Sequence, residues 1–212
     1  MSNLFIRLGI INDLLKIITK YLTRSHINLL NKKQNDINIY DIIKYDHKLM
    51  VKIKEIINEN EIYKICAYYG KLENIKWLFK NKYEFNKNTF SIAAENGNIA
   101  IMKWLHKKKC PHDSFETFTS AANNGNLENM KWLLDNKFPY DSSVFAYAAY
   151  NGNIQNMMWL LENKFPYSEW TFEYAAKSGN LSNMKWLLEN KFPYNKNVFS
   201  QAAYCGKLEN MK

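Results

Sequence analysis

Two histidines and one cysteine form the densest group of metal-ligating residue types in the sequence. His106, Cys110 and His112 lie within seven residues, a spacing at which three side chains could reach one divalent cation. Three lysines at 107–109 stand between them, and their positive charge disfavours a dication. Later segments carry a phenylalanine at the place of Cys110, namely Phe138, Phe165 and Phe192. We therefore predict neither a metal site nor a cofactor.

Catalytic groups of other kinds are equally absent from the sequence pattern. The acidic residues recur singly at positions typical of solvated helix surfaces, as in Glu73, Glu128, Glu162 and Glu189. Each glycine stands alone, so the sequence has no Gly-rich loop that could hold a phosphate. Cys66 and Cys205 recur at repeat positions, which predicts buried or half-buried thiols and not nucleophiles. The protein is therefore predicted not to be an enzyme.

Composition places the chain among folded proteins of a reducing compartment. The 212 residues are 47% hydrophobic and 15% aromatic, which suffices for a packed core. Three scattered cysteines exclude a disulfide framework. The apolar N-terminus is interrupted by charges and lacks a signal-peptide cleavage site, so we expect an intracellular protein without a membrane span. The net charge of +9 is spread along the chain and identifies no nucleic-acid patch.

An internal repeat explains the elements that carry these residues. Glycines stand at 70, 97, 125, 152, 179 and 206, with spacings of 27, 28, 27, 27 and 27. A tryptophan follows each of the first five glycines after seven residues, at 77, 104, 132, 159 and 186. An Ala-Ala pair precedes each glycine from the second onward, and all four prolines share one repeat position.

One unit, residues 142–167, shows how this pattern predicts structure. Polar residues ahead of Val144 can cap a short helix that ends at a left-handed Gly152. Asn153 is predicted to cap a second helix. The buried stripe of that helix is predicted to consist of Ile154, Met157, Trp159, Leu160 and Leu161. Phe165-Pro166 is predicted to stop it.

The string Ala-Ala-x-x-Gly-Asn-Leu-Glu-Asn-Met-Lys-Trp-Leu-Leu at 121–134 resembles the core of the ankyrin repeat. The unit is shorter than the roughly 33-residue ankyrin unit, and the missing residues come from the β-hairpin. A Trp-containing 27-residue unit is also similar to the ankyrin-like arrays encoded by giant DNA viruses of amoebae. The resemblance implies an all-α, helical-repeat solenoid of helix-turn-helix units with shortened β-hairpin loops, preceded by an N-terminal helical segment.

The period divides the chain into two regions. The repeat array covers 61–212, with units at 61–85, 86–112, 113–140, 141–167, 168–194 and an incomplete 195–212. Residues 1–60 do not repeat; we interpret them as an N-terminal helical cap or, alternatively, as a degenerate F-box-like segment. The last unit stops at Lys212, one residue before the expected tryptophan, so we expect residues 195–212 to fray.

Positions that vary between units are the place to look for a binding surface. The two residues between Ala-Ala and Gly vary most, and the ankyrin resemblance implies that they line a concave surface. Trp170 is predicted in the loop ahead of a first helix, which the resemblance places on the same surface. The predicted partner-binding residues are Tyr68, Tyr69, Glu95, Asn123, Tyr150, Trp170, Lys177 and Tyr204. Exposed Tyr and Trp are typical of interfaces, whereas tyrosines that only fill space between helices remain the alternative.

Three functions fit these observations. The first is a non-catalytic scaffold, a monomer that binds a host or viral protein in the host cytoplasm, with the nucleus left open. A substrate adaptor of a ubiquitin ligase, acting through the F-box-like segment, is the second. A basic helical-repeat nucleic-acid binder is the third, and it is disfavoured because Lys177 stands where other units carry Glu95 and Asn123.

Overall fold

The computed structural model describes residues 63, 66–68, 72–85, 87–112 and 115–206. The chain divides into two compact units, Met1–Glu84 and Phe85–Lys212. The segment 1–60 lies outside the described residues, so its interpretations as a cap or an F-box-like module stay predictions. The expected fraying of 195–212 also stays a prediction, although residues 197–204 are helical.

Helices and turns make up the described residues, with no strand among them, which confirms the all-α helical-repeat fold. The Met1–Glu84 unit contains α1 (Leu72–Lys80), the second helix of the repeat at 61–85. The Phe85–Lys212 unit contains α2 (Asn88–Glu95), α3 (Ile99–Lys107), α4 (Glu116–Asn124), α5 (Leu127–Asp135), α6 (Ser143–Asn151), α7 (Ile154–Glu162), α8 (Glu169–Ser178), α9 (Leu181–Glu189) and α10 (Asn197–Tyr204).

The residue directly before each of the helices α2, α4, α6, α8 and α10 makes no side-chain capping bond, but in the repeat unit 141–167 polar side chains bond at both helix starts. Asp141 Oδ1 accepts a hydrogen bond of 2.9 Å from the Ser143 N–H at the start of α6. Gly152 ends this helix with a φ of 93°, as predicted. Asn153 Oδ1 then accepts a bond of 3.0 Å from the Gln155 N–H and begins α7. Asparagine caps the other described second helices of the Phe85–Lys212 unit in the same way, at Asn98, Asn126 and Asn180.

The prediction that Phe165-Pro166 stops the second helix is wrong. Helix α7 ends at Glu162, and Lys164 adopts a left-handed φ of 58°. The Lys164 N–H donates to Leu161 O and the Phe165 N–H to Leu160 O, both at 3.0 Å, which is the bonding pattern of a Schellman motif. The stop therefore precedes the proline, and a lysine repeats it in the other units at Lys82, Lys109, Lys137 and Lys191.

The core of the Phe85–Lys212 unit lies between neighbouring first helices of the repeats, which are α2, α4, α6, α8 and α10. Helix α4 packs against α2 and α6, and α8 packs against α6 and α10. The Ala-Ala pairs from 93 to 176 are fully buried, which permits this close approach. In α2, α4 and α6, a phenylalanine of the first helix meets the phenylalanine that follows the next unit's second helix. The ring centroids are 5.2 Å apart in Phe90–Phe138, 5.3 Å in Phe118–Phe165 and 5.0 Å in Phe145–Phe192.

The predicted buried stripe of the second helix needs correction. Met157 and Leu160 are fully buried, whereas Trp159 is only half-buried and rests on Phe165 at 5.6 Å. Ile154 and Leu161 are also half-buried. The tryptophans therefore cover the phenylalanine core instead of forming it, because their position faces the edge of the helix pair.

A buried asparagine, Asn156, directly precedes Met157 in α7. Asn156 is 1% exposed, and its Nδ2 donates a hydrogen bond of 2.7 Å to Gly125 O in the preceding unit. Asn183 Nδ2 donates in the same way to Ala149 O at 3.0 Å. These amides satisfy backbone carbonyls that the end of a first helix leaves without partners. The pair Asn-Met at 129, 156 and 183 was visible in the sequence, but its hydrogen bonds required the neighbouring unit.

Candidate functional site

Residues at three repeat positions give each first helix a common exposed side. They are spaced i, i+4 and i+7, so they lie along one face of an α-helix. We call this surface the first-helix face. It consists of Asn88, Ile92 and Glu95 on α2; Glu116, Ser120 and Asn123 on α4; Ser143, Tyr147 and Tyr150 on α6; Trp170, Tyr174 and Lys177 on α8; and Asn197, Gln201 and Tyr204 on α10. Each of these residues is at least partly exposed.

Aromatic side chains meet on this face between α6 and α8. The Tyr174 ring lies 5.1 Å from Tyr147 at an interplanar angle of 60°, and 6.2 Å from Tyr150 at 73°. Such edge-to-face arrangements are favourable between aromatic rings. A hydrogen bond with Tyr174, together with burial, raises the pKa of the Tyr147 hydroxyl. Tyr174 is thus the centre of the three tyrosines. Together with Trp170, one helical turn earlier on α8, they form what we call the aromatic patch: Tyr147, Tyr150, Trp170 and Tyr174.

Lys177 carries the positive charge at the edge of the aromatic patch. It lies one helical turn beyond Tyr174, and its Nζ is 5.7 Å from the centroid of the Tyr174 ring. This geometry is a cation–π contact within one helix. Among the described residues, no carboxylate forms an ion pair with Lys177.

Trp170 does not lie in a loop, contrary to the prediction. It belongs to the first turn of α8, which begins at Glu169, and 59% of its surface is exposed. Ser143 and Asn197, at the same repeat position, are the first residues of their helices, so this position belongs to the helix and not to a loop. An open cavity of about 260 Å³ lies beside it, lined by Ser142, Ser168, Glu169 and Trp170.

Two carboxylates stand near this cavity, but they are already engaged. Asn195 Nδ2 donates to Glu169 Oε2 at 2.7 Å and to Glu173 Oε1 at 2.8 Å. The amide bridges α8 to the segment before α10, which gives these carboxylates a role in joining units.

Four of the other predicted binding residues, Glu95, Asn123, Tyr150 and Tyr204, lie on the first-helix face. Tyr204 on α10 is 83% exposed and Tyr150 on α6 is 42% exposed. Glu95 is exposed at the end of α2, while Asn123 on α4 is half-buried. Tyr68 is exposed in the Met1–Glu84 unit, and Tyr69 lies outside the described residues.

Tyr147 and Tyr174 were missed by the sequence prediction. They occupy the position directly before Ala-Ala, where the units carry Ile92, Ser120, Tyr147, Tyr174 and Gln201. This position varies as freely as the predicted ones and stands three residues before them. Helical spacing applied to the variable positions could therefore have identified both tyrosines.

The predicted absence of a metal site was based on the group around Cys110. Burial raises the pKa of the Cys110 thiol to about 12, and its Sγ donates to Pro111 O at 3.4 Å. The rings of His106 and His112 pack on Phe138 at 5.5 Å and 4.7 Å. In the described part of the chain, no three His, Cys, Asp or Glu side chains come together as ligands.

The remaining cysteines are placed as predicted. Cys66 is buried, and burial raises the pKa of its thiol to about 12, while Cys205 is half-buried. Because a thiol with such a pKa stays protonated at neutral pH, Cys66 and Cys110 are poor nucleophiles. None of the described helices combines the length and the apolar character needed to cross a membrane.

Comparison with known families agrees with this helix-pair architecture. A family model described as ankyrin repeats (3 copies) matches residues 63–141 and 118–200, a range that includes α1 to α9. No curated protein matches the chain.

Proposed function

The chain belongs to the ankyrin-repeat family, and on that basis we propose that it is a non-catalytic scaffold that binds a protein partner through its first-helix face. Proteins of this family generally mediate protein–protein interactions. The matched residues 63–200 include most of that face.

The aromatic patch is the observation on which the proposal rests. Tyrosine and tryptophan are the residue types most enriched at interface hot spots, together with arginine. Tyr147 and Tyr174 also fill the space between α6 and α8, as the alternative interpretation expects. Trp170 and Tyr150, however, keep 59% and 42% of their surfaces exposed, which packing within the array does not require. A bound partner would bury this surface.

A pair of matched variants tests the proposal. The first, Tyr150→Ser with Trp170→Ser and Tyr204→Ser, removes exposed rings from the first-helix face. The control, Met158→Ser with Leu188→Ser, removes exposed apolar side chains from the second helices α7 and α9. Affinity capture with mass spectrometry should recover partners with the wild type and the control, and lose them with the first variant.

Thermal melting followed by circular dichroism shows whether both variants remain as stable as the wild type. Both variants change exposed residues, whose substitution usually alters stability by less than about 0.5 kcal/mol. If the first variant retains the wild-type partners while both proteins melt alike, the first-helix face is not the binding surface and the proposal is contradicted.

Three finer features belong to the proposal as well. The resemblance of the Trp-containing unit to arrays of giant DNA viruses suggests a host or viral partner in the host cytoplasm, with the nucleus left open. A monomer is expected, and light scattering of the purified chain would test that state. The ubiquitin-ligase adaptor depends on residues 1–60 and stays a prediction; capture of a ligase linker protein by the full chain, but not after substitutions in that segment, would test it.

A further inference from the structure

Resting on the proposed scaffold function, we propose that the partner docks an apolar segment on the aromatic patch and places a carboxylate against Lys177. The inference concerns the chemistry of the partner and goes beyond the location of the binding surface. It follows from three features of the face. These are the arrangement of the rings, the contact of Lys177 with Tyr174 without an ion pair among the described residues, and the charges at the neighbouring repeat positions.

The ring arrangement favours an apolar occupant. Tyr147 and Tyr150 both meet Tyr174 at steep angles, 60° and 73°, so the three rings form an uneven surface and not a flat stack. Aliphatic or proline side chains can fill the space between such rings, as they do in aromatic-lined peptide grooves. Trp170 extends the surface by one helical turn on α8.

Lys177 then determines the charge of the segment. Its ammonium group lies over the Tyr174 ring, so an occupant of the patch also covers Lys177 and removes water from it. A cation that loses its water needs a compensating charge or hydrogen-bond acceptors. Among the described residues Lys177 makes no ion pair, and Glu173, one helical turn before it, already accepts from Asn195, so we assign the acceptor to the partner.

A phosphate backbone would also supply negative charge, but the rest of the face disfavours it. Binding of nucleic acid requires several cations that neutralise successive phosphates. On the described first-helix face, Lys177 is the one lysine or arginine, whereas Glu95 and Glu116 carry negative charge on α2 and α4. A polyanion laid across these helices would meet repulsion, whereas an acidic residue within an apolar protein segment would not.

Selection of peptides provides a direct test. Neighbouring helix axes lie roughly 8–10 Å apart, so a segment that crosses α6 and α8 with their flanks spans on the order of six extended residues. A random library of peptides about twice that length is selected on the full chain, and on Lys177→Glu. The control is Lys185→Glu, which makes the same charge change on the exposed side of α9.

The proposal expects the following results. Peptides selected on the wild type are enriched in aliphatic residues or proline and in Asp or Glu. The affinity of such a peptide falls about tenfold or more on Lys177→Glu, as the loss of one close charge pair implies, and stays unchanged on Lys185→Glu. Replacement of the peptide carboxylate by lysine restores binding to Lys177→Glu.

Other outcomes separate the two proposals. If Tyr150→Ser with Trp170→Ser abolishes peptide binding while Lys177→Glu does not weaken it, the scaffold function stands and this inference is overturned. If the selected peptides bind the Tyr150→Ser, Trp170→Ser variant as well as the wild type, the surface itself is misassigned and both fail. If single-stranded RNA competes for the patch with a steep salt dependence, the occupant is a nucleic acid and the inference is overturned.

Discussion

In each of the four repeat units from 86 to 194, the described chain enters the left-handed backbone region at two places, and it uses a different residue at each. Glycine follows the first helix, as at Gly152 with a φ of 93°, and lysine follows the second helix, as at Lys164 with a φ of 58°. Both places end a helix, and both require a conformation that costs an ordinary residue about 1–2 kcal/mol. The backbone conformation alone therefore does not explain the choice of residue.

Neighbouring side chains explain it. A Cβ atom at Gly152 would lie 2.8 Å from Asn180 Nδ2, and one at Gly97 would lie 2.7 Å from Asn124 Oδ1. Lys164 is exposed to solvent, so its side chain meets no such obstacle. The glycine end is thus the joint between successive units, whereas the lysine end is open surface.

The comparison connects stability to the candidate binding surface. Tyr150 and Lys177 stand two residues before Gly152 and Gly179, in the last turns of their first helices. The glycine joints therefore lie next to residues of the candidate binding surface. Substitutions in the glycine turn and in the lysine turn should show how much each turn contributes to stability.

The largest expected effect comes from Gly152→Ala. The substitution adds backbone strain of about 1–2 kcal/mol and displaces Asn180, whose Oδ1 accepts the Asn183 N–H at the start of α9. Loss of a helix cap costs about 1 kcal/mol, so the free energy of unfolding should fall by about 2–3 kcal/mol in urea titration.

Gly206→Ala is the matched control for this experiment. Gly206 has a φ of 71°, but a Cβ there would meet nothing within 4 Å, so at most the strain of about 1–2 kcal/mol remains. Equal losses of stability in both variants would show that the contact with Asn180 is unimportant.

A loss of stability of intermediate size is expected when the buried amide of Asn183, which lies near the glycine joint at Gly152, is removed. Asn183→Ala removes the donor to Ala149 O and leaves a buried carbonyl without a partner, which costs about 1–3 kcal/mol. Urea titration should show this loss.

Asn129→Ile provides the comparison for the amide. Both amide atoms of Asn129 are buried without a hydrogen-bond partner, and α3 carries Ile101 at the same repeat position. This variant should unfold at the same or a higher urea concentration than the wild type. A loss as large as that of Asn183→Ala would contradict the assigned role of the hydrogen bond.

The smallest effect is expected at the lysine turn, and it has the opposite sign. Lys164→Gly relieves the left-handed strain, partly offset by the greater freedom of glycine in the unfolded chain. We expect a gain of about 0.5 kcal/mol in the same titration. Lys131→Gly, in the middle of α5, should instead cost about 1 kcal/mol; a loss at both sites would show that Lys164 is not strained.

Much of the architecture was predictable because it depends on short-range chemistry. A period of 27 residues, an Ala-Ala pair and an Asn such as Asn153 ahead of the second helix sufficed to predict helix pairs, the cap of the second helix and the glycine end of the first. The resemblance on the same residues identified the family. Of the candidate site, Tyr150, Trp170, Lys177 and Tyr204 were recognised because they vary where the repeat otherwise does not.

The features that sequence reasoning missed depend on residues one period away. The lysine stop could not be recognised from propensity, since lysine has no preference for a left-handed conformation. The hydrogen bond of Asn156 could not be predicted because its acceptor, the carbonyl of Gly125, belongs to the preceding repeat unit. Tyr147 and Tyr174 met only when α6 and α8 packed side by side.

The sequence by itself thus determined the repeat, the helices within each unit and the family, because caps, turns and helical faces arise from residues a few positions apart. Only the tertiary structure decided which side chains are buried at the joints between units and which tyrosines gather around Tyr174. Both depend on the stacking of units, which brings together residues about 27 positions apart whose contacts no local pattern encodes.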